Sequence, residues 1–212
     1  MDDDVVFAAA AAERRALAEQ LAGLAPEQWA APSLCAGWDV RVVTAHLVAA
    51  LSPALLELLG AVVRAGGRLH HANDALARRT ARQPTGDLVT ALRQRADTRA
   101  SPPVTGPRAP LTDVLVHAGD IRLPLGLAHD PAERGVRAAL DFVTTGRPVG
   151  FVLRGRLTGL RLVAEDLDAS WGTGPVVAGR GIDLLMAACG RSAVIDRLHG
   201  EAAGVLADRL AP

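Results

Sequence analysis

Apolar residues recur at helical spacing through most of the first 145 positions, then give way to short β-branched and alternating runs. Residues 4–23 set Phe7, Ala10, Leu17, Leu21 and Leu24 near one face, with Asp4 as a cap and Gly23 and Pro26 as the stop. The stretch APEQWAAPSLCAGWDV holds two prolines and a glycine, which predicts an ordered loop or a single short turn. Asp39 stands where an N-cap belongs. From Val40 the positions Val43, His46, Leu47, Ala50 and Leu51 keep helical spacing, which puts His46 on the apolar side. Pro53 predicts a kink or a new helix, the apolar run continues to Val63, and 65–67 offers a break. His70 and His71 are adjacent and point about 100° apart on a helix, so they suit a wet surface better than a ligand pair. A further helix is expected from Pro84-Thr85-Gly86-Asp87 to about residue 100.

SPPVTGPRAP is an irregular linker with four prolines, and Pro110 suits the first position of the helix that follows. That helix, within LTDVLVHAGDIRLPLG, stops ahead of Pro124, and another runs from Pro131 to 145 and ends at Gly146. Beyond it Val149–Leu153 and Leu160–Glu165 read as strands, 171–175 as turn, and Val176-Val177 as strand again. Helical runs return at 182–189, 192–198 and 201–210. The expected architecture is a helical bundle at 1–146 followed by a small α/β unit at 147–212.

Half of the 212 residues are apolar, enough for a large core. Arginine supplies every strongly basic group, since lysine is absent, and 23 of them balance 23 acidic residues. A net charge of zero gives no long-range attraction to nucleic acid or an anionic membrane. Cys35 and Cys189 are far apart and match no disulfide framework or zinc-ribbon spacing. An acidic start, with charge returning before a long apolar run develops, argues against a signal peptide, and LVAALSPALLELLGAVV is broken by Pro53 and Glu57. The expectation is a soluble cytoplasmic protein.

Chemistry concentrates in 111–126. Asp113 and His117 stand four residues apart, which on a helix stacks them with Cβ atoms roughly 5–6 Å apart. A carboxylate and an imidazole so placed can share one metal ion. Leu111, Val114, Leu115 and Ile121 give the segment a buried side. A third ligand is needed, and His46 is the best candidate; a core histidine bonded to a backbone carbonyl is an even alternative. Asp120 either orients an imidazole or pairs with Arg122, and Arg122 contacts either an anionic substrate or the preceding carbonyls. Arg154 and Arg156 are candidates for holding a ligand at the domain junction, with solvated strand positions as the plainer alternative. The Cys35 thiol could be a nucleophile, but no base adjacent in sequence supports that, and it is read as a buried structural cysteine.

The segment LCAGWDVRVVTAHLVAA resembles the one that carries the first metal-binding histidine in the mycothiol-dependent maleylpyruvate isomerase family. DVLVHAGDIRLPLG resembles that family's second motif, a carboxylate four residues before a histidine, followed by Asp-Ile-Arg and Pro-Leu-Gly. Asn73-Asp74 with ARRTARQP and LRLVAEDLDASWGTGPVVAG are also similar to family sequence, so the likeness spans nearly the whole chain. It implies a DinB-like four-helix-type bundle followed by a small sterol-carrier-like α+β domain. It further implies metal ligands His46, Asp113 and His117, with Asp113 where the family usually has glutamate.

Three protein ligands leave a fourth position open, as in catalytic rather than structural zinc sites. The resemblance implies that the thiol of mycothiol takes that position and serves as nucleophile or cofactor in thiol transfer or cis–trans isomerisation. The expected cofactors are therefore a divalent metal, zinc first, and mycothiol. The expected partners are that small thiol and an electrophilic small molecule. A His₂-carboxylate set also suits iron, nickel or manganese. Competing readings are a non-catalytic module binding a small molecule or metal, and a regulatory interaction protein on the same scaffold. Neither the substrate nor the oligomeric state is legible in the sequence.

Overall fold

The computed structural model describes residues 2–52, 69–101 and 105–211. Among the described residues seven helices precede the sheet: α1 (Asp3–Ala22), α2 (Pro26–Trp29), α3 (Val40–Ala50), α4 (Leu69–Thr80), α5 (Thr85–Gln94), α6 (Arg108–Arg122) and α7 (Glu133–Thr145). Three short strands follow, β1 (Arg161–Ala164), β2 (Ala169–Gly172) and β3 (Val176–Gly179), and then α8 (Gly181–Ala188) and α9 (Ala203–Leu210). The fold is mixed α+β, a helical N-terminal part with a small three-stranded C-terminal region. The expected events at Pro53 and along the run to Val63 lie outside the described residues. Among the described residues no helix is long and apolar enough to cross a membrane.

Contacts group the chain into two units, Met1–Ala9 with Ser101–Val116 and Asp130–Pro212, and Ala10–Ala100 with His117–His129. Helices α1 and α6 each run through a division point. In the second of these units α3 packs on α4 and α5, burying Val40, Val43, Ala45 and Leu47. The Asp39 side chain accepts the Val42 amide at 2.8 Å and so fixes where α3 begins. Arg14 of α1 is buried, and its guanidinium donates to the carbonyls of Ala96 and Thr98 at 2.8 and 3.1 Å, which ties α1 to the chain leaving α5.

In the other unit β1 is central in the order β2-β1-β3, antiparallel to β2 and parallel to β3. Leu162 faces Trp171 on one side and Val177 on the other. Every residue of α8 is buried, and α8 packs on α7. A Cβ on Gly181 would meet Leu167 Cδ1 at 2.6 Å, so any larger residue at the start of α8 would have to displace the buried Leu167 side chain. The Asp166 carboxylate accepts the Gly181 amide at 2.7 Å and holds the same junction.

Three expectations differ from the structure. Val149–Leu153 forms turns, not a strand, and Val149 and Leu153 are 64% and 67% exposed. Pro148 and two glycines at positive φ, Gly150 and Gly155, bend this stretch, and a β-branched run with no pairing edge beside it has nothing to form a ladder with. Trp171 and Gly172, expected in a turn, belong to β2, because Trp171 pairs with Leu162 and its indole donates to Asp141 of α7 at 2.7 Å. The helix expected to reach residue 100 ends at Gln94.

Candidate metal centre

His46 is the seventh residue of α3, half-buried between the buried Ala45 and Leu47. His117 lies on α6 between Val116 and Ala118, also buried, and its own side chain is 12% exposed. The two imidazoles meet edge to face, with ring centroids 4.8 Å apart and an interplanar angle of 72°. Asp113 stands one turn before His117 on the same helix. One donor atom each from His46, Asp113 and His117 lie within 4.8 Å of one another. The i,i+4 spacing thus keeps Asp113 and His117 together, and α3 brings His46 beside them.

The orientation of His117 is set from its other side. Its Nδ1 is 2.8 Å from Oδ2 of Asp120, whose side chain is fully buried. A carboxylate accepts, so Nδ1 carries the proton and Nε2 is left with a lone pair for a cation. Asp120 is itself anchored, since its backbone carbonyl accepts the Leu34 amide at 3.1 Å. Cys35 Sγ lies 3.4 Å from the same Oδ2 and 3.8 Å from His117 Nδ1. Cys35 is half-buried, where the expectation is a buried cysteine. Cys35, His117 and Asp120 form a second group whose donor atoms lie within 4.8 Å of one another.

Trp38 closes the imidazole pair from above. Its ring centroid is 5.3 Å from that of His46 and 6.4 Å from that of His117. The indole donates to Oδ1 of Asp74 at 2.7 Å. Asp74 also receives Arg78 Nε at 2.9 and 3.0 Å, while the Arg78 Nη2 donates to the Gly37 carbonyl at 2.9 Å. The Trp38 hydrogen bond holds the Asp74 carboxyl below its ordinary 3.8; partial burial opposes this and the Arg78 charge reinforces it. Trp38 is not among the functional residues expected from the sequence, and Cys35 is expected there as a structural residue rather than a nucleophile. The available signal was the turn GWD immediately before the α3 cap.

Of the remaining candidates, Asp120 stands at the centre and the three arginines fall elsewhere. Asp120 pairs with His117, and Arg122 pairs instead with Glu13 of α1. Arg122 is 4% exposed; its Nε donates to Gln20 at 2.6 Å and its Nη1 lies 3.1 Å from His129 Nδ1. Arg154 is exposed in the turns before β1. Arg156 is half-buried, donates to the Ala188 carbonyl at 3.1 Å, and burial holds its pKa below the usual arginine value. Both belong to the unit that contains the sheet.

The donor set fits a divalent cation on its own chemistry. Tetrahedral ligands about 2.0–2.2 Å from zinc stand roughly 3.3–3.6 Å from one another, within reach of small side-chain shifts from the present spacing. Half-burial among Trp38 and the apolar faces of two helices limits water without sealing the position.

The family model for the mycothiol maleylpyruvate isomerase N-terminal domain matches residues 10–160, a span that includes every residue of this centre. The chain belongs to that family. A crystal structure of the mycothiol-dependent maleylpyruvate isomerase is similar at a TM-score of 0.62 and 15% identity, covering 96% of this chain and 94% of the other. A histidine-to-alanine mutant of a protein so titled is similar at 0.65 and 16%, with the same coverage. These two likenesses establish a shared fold along almost the full length of both chains. No curated protein matches this chain significantly.

Proposed function

We propose that this member of the family is a metal-dependent enzyme that uses mycothiol, as nucleophile or cofactor, in thiol transfer to, or cis–trans isomerisation of, a small electrophile. One observation carries the proposal: the convergence of His46, Asp113 and His117 donor atoms within 4.8 Å, in a chain of this family. These three residues are the proposed metal ligands and zinc the proposed cation. A divalent cation bound with a coordination position open would lower the pKa of a thiol placed there and favour its thiolate at neutral pH.

The side chains have separable tasks. Asp113 supplies the single negative charge, so that a divalent cation keeps net positive charge among two neutral imidazoles. Asp120 holds the proton of His117 on Nδ1 and thereby keeps Nε2 a donor to metal. Trp38, fixed by Asp74, excludes water from one side of the imidazole pair. Arg154 and Arg156 are proposed contacts for the charged or polar parts of the ligands, and Arg122 a residue whose contribution runs through the end of α6. The proposed domains are 1–146 for the metal centre and 147–212 for the small α+β region.

Elemental analysis of protein purified without chelator tests the reading, together with mycothiol binding by calorimetry. About one equivalent of metal, lost in His46→Ala and His117→Ala along with mycothiol binding, supports it. Metal-free wild-type protein, or metal retained in both variants, overturns it.

A further inference from the structure

Beyond this reading, the loop before α3 places a sulfur on the far side of His117. We propose that Cys35, Asp120 and Nδ1 of His117 form a second cation site, selective for thiophilic divalent ions, and that its occupation excludes a cation from His46 and Asp113. The three donor atoms already stand 3.4, 3.8 and 2.8 Å apart. Thiolate, carboxylate and imidazole are a ligand set for soft and borderline cations, unlike the harder His₂-carboxylate set beside it. The 2.8 Å separation is a hydrogen bond with its proton in place. Replacing that proton with a cation at bonds of about 2.0–2.1 Å to nitrogen and oxygen opens the separation by roughly 0.5 Å.

The sulfur is held in position by its own loop. Trp38 N donates to the Cys35 carbonyl at 3.0 Å, with Gly37 at φ 76° completing the turn. Ser33 Oγ accepts the Cys35 amide at 3.0 Å and donates to the Trp38 carbonyl at 2.8 Å, and Leu34 N donates to the Asp120 carbonyl at 3.1 Å. The backbone that carries the thiol is therefore bonded to the same residue that supplies the carboxylate.

Exclusion follows from the imidazole. A neutral ring has one lone pair, so a cation held by Nδ1 leaves the ring proton on Nε2. In binding, the Cys35 thiol releases its proton to water, the ring proton moves from Nδ1 to Nε2, sulfur, Nδ1 and the Asp120 carboxylate bond the cation, and Nε2 no longer has a lone pair for the first site. His117 thus serves one cation at a time.

Cadmium titration of the chelator-stripped full-length protein tests the proposal. A thiolate-to-cadmium charge-transfer band saturating at one equivalent is expected, lost in Cys35→Ser and kept in Asp113→Asn and Cys189→Ser. Cadmium affinity is expected to fall about tenfold or more in Cys35→Ser. Bound cadmium is also expected to protect Cys35, read by mass spectrometry, from alkylation in the wild-type chain, a measurement that needs no variant. Absence of the band, its persistence in Cys35→Ser, its loss in both Cys35→Ser and Asp113→Asn, or an unprotected Cys35 overturns the proposal. The two readings fail separately. Zinc binding that needs His46, with no cadmium–thiolate band, removes only this second site, whereas a band without any His46-dependent zinc removes only the first.

Discussion

Two buried polar pairs sit two residues apart near the end of α6 and do opposite things. Asp120 with His117 binds one face of an imidazole and leaves the other nitrogen to chemistry. Arg122 with Glu13 uses its guanidinium on α1, with Gln20 and His129 as further partners. Both pairs are nearly excluded from water, the Asp120 side chain at 0% and that of Arg122 at 5% exposure. Burial and charge alone therefore do not mark a functional residue. What separates the pairs is the partner: an imidazole that lies beside two further possible metal donors, or a guanidinium whose hydrogen bonds run to the scaffold.

The sharpest break of that comparison is His117→Ala. Loss of the stoichiometric metal is expected, checked by elemental analysis, with circular dichroism unchanged because a half-buried side chain is removed. Glu13→Ala is expected to do the reverse. Removing one partner strands Arg122 in a buried place, which costs about 3–5 kcal/mol of stability by denaturant unfolding, while the folded fraction keeps its metal. Equal metal loss in both variants would erase the distinction drawn here.

Asp120→Asn sharpens the comparison from the imidazole side. The amide can still accept the Nδ1 proton but no longer carries the charge that makes the ring basic, so metal affinity should fall about 10- to 100-fold by competitive chelation, with the site still occupied at high metal. The smallest expected effect is at Asp74. Its carboxyl lies below 3.8 in the folded chain, so the Trp38–Asp74–Arg78 contact contributes stability above pH 3.8 and loses it as pH falls through the folded value. Acid unfolding followed by tryptophan fluorescence should show this dependence in the wild type and a weaker one in Asp74→Asn.

Much of the centre was legible before any fold was known. Asp113 and His117 are joined by helical geometry, and the Asp39 cap with the run from Val40 put His46 on the buried side of α3. Asp120 was legible only as one of two alternatives, because an aspartate three residues past a histidine and two before an arginine can turn to either. Cys35 was misread as buried, since nothing within its loop announces that the loop backbone is bonded to Asp120, 86 residues later for Leu34 N. The stretch 149–153 carries strand-forming residues and forms turns, whereas 169–172 carries turn-forming residues and pairs with β1.

The order of residues by itself determined α1, α3, α6 and α7, the cap at Asp39, and the stacking of Asp113 under His117. Each of these depends on neighbours within about four positions, where helical periodicity and capping operate. Tertiary structure alone decided that the faces of α3 and α6 bring two imidazoles to 4.8 Å, that Glu13 and not Asp120 neutralises Arg122, and that a thiol lies beside His117. Periodicity states which side of a helix is buried. Which buried sides meet depends on packing between segments tens of residues apart, and no local pattern encodes it.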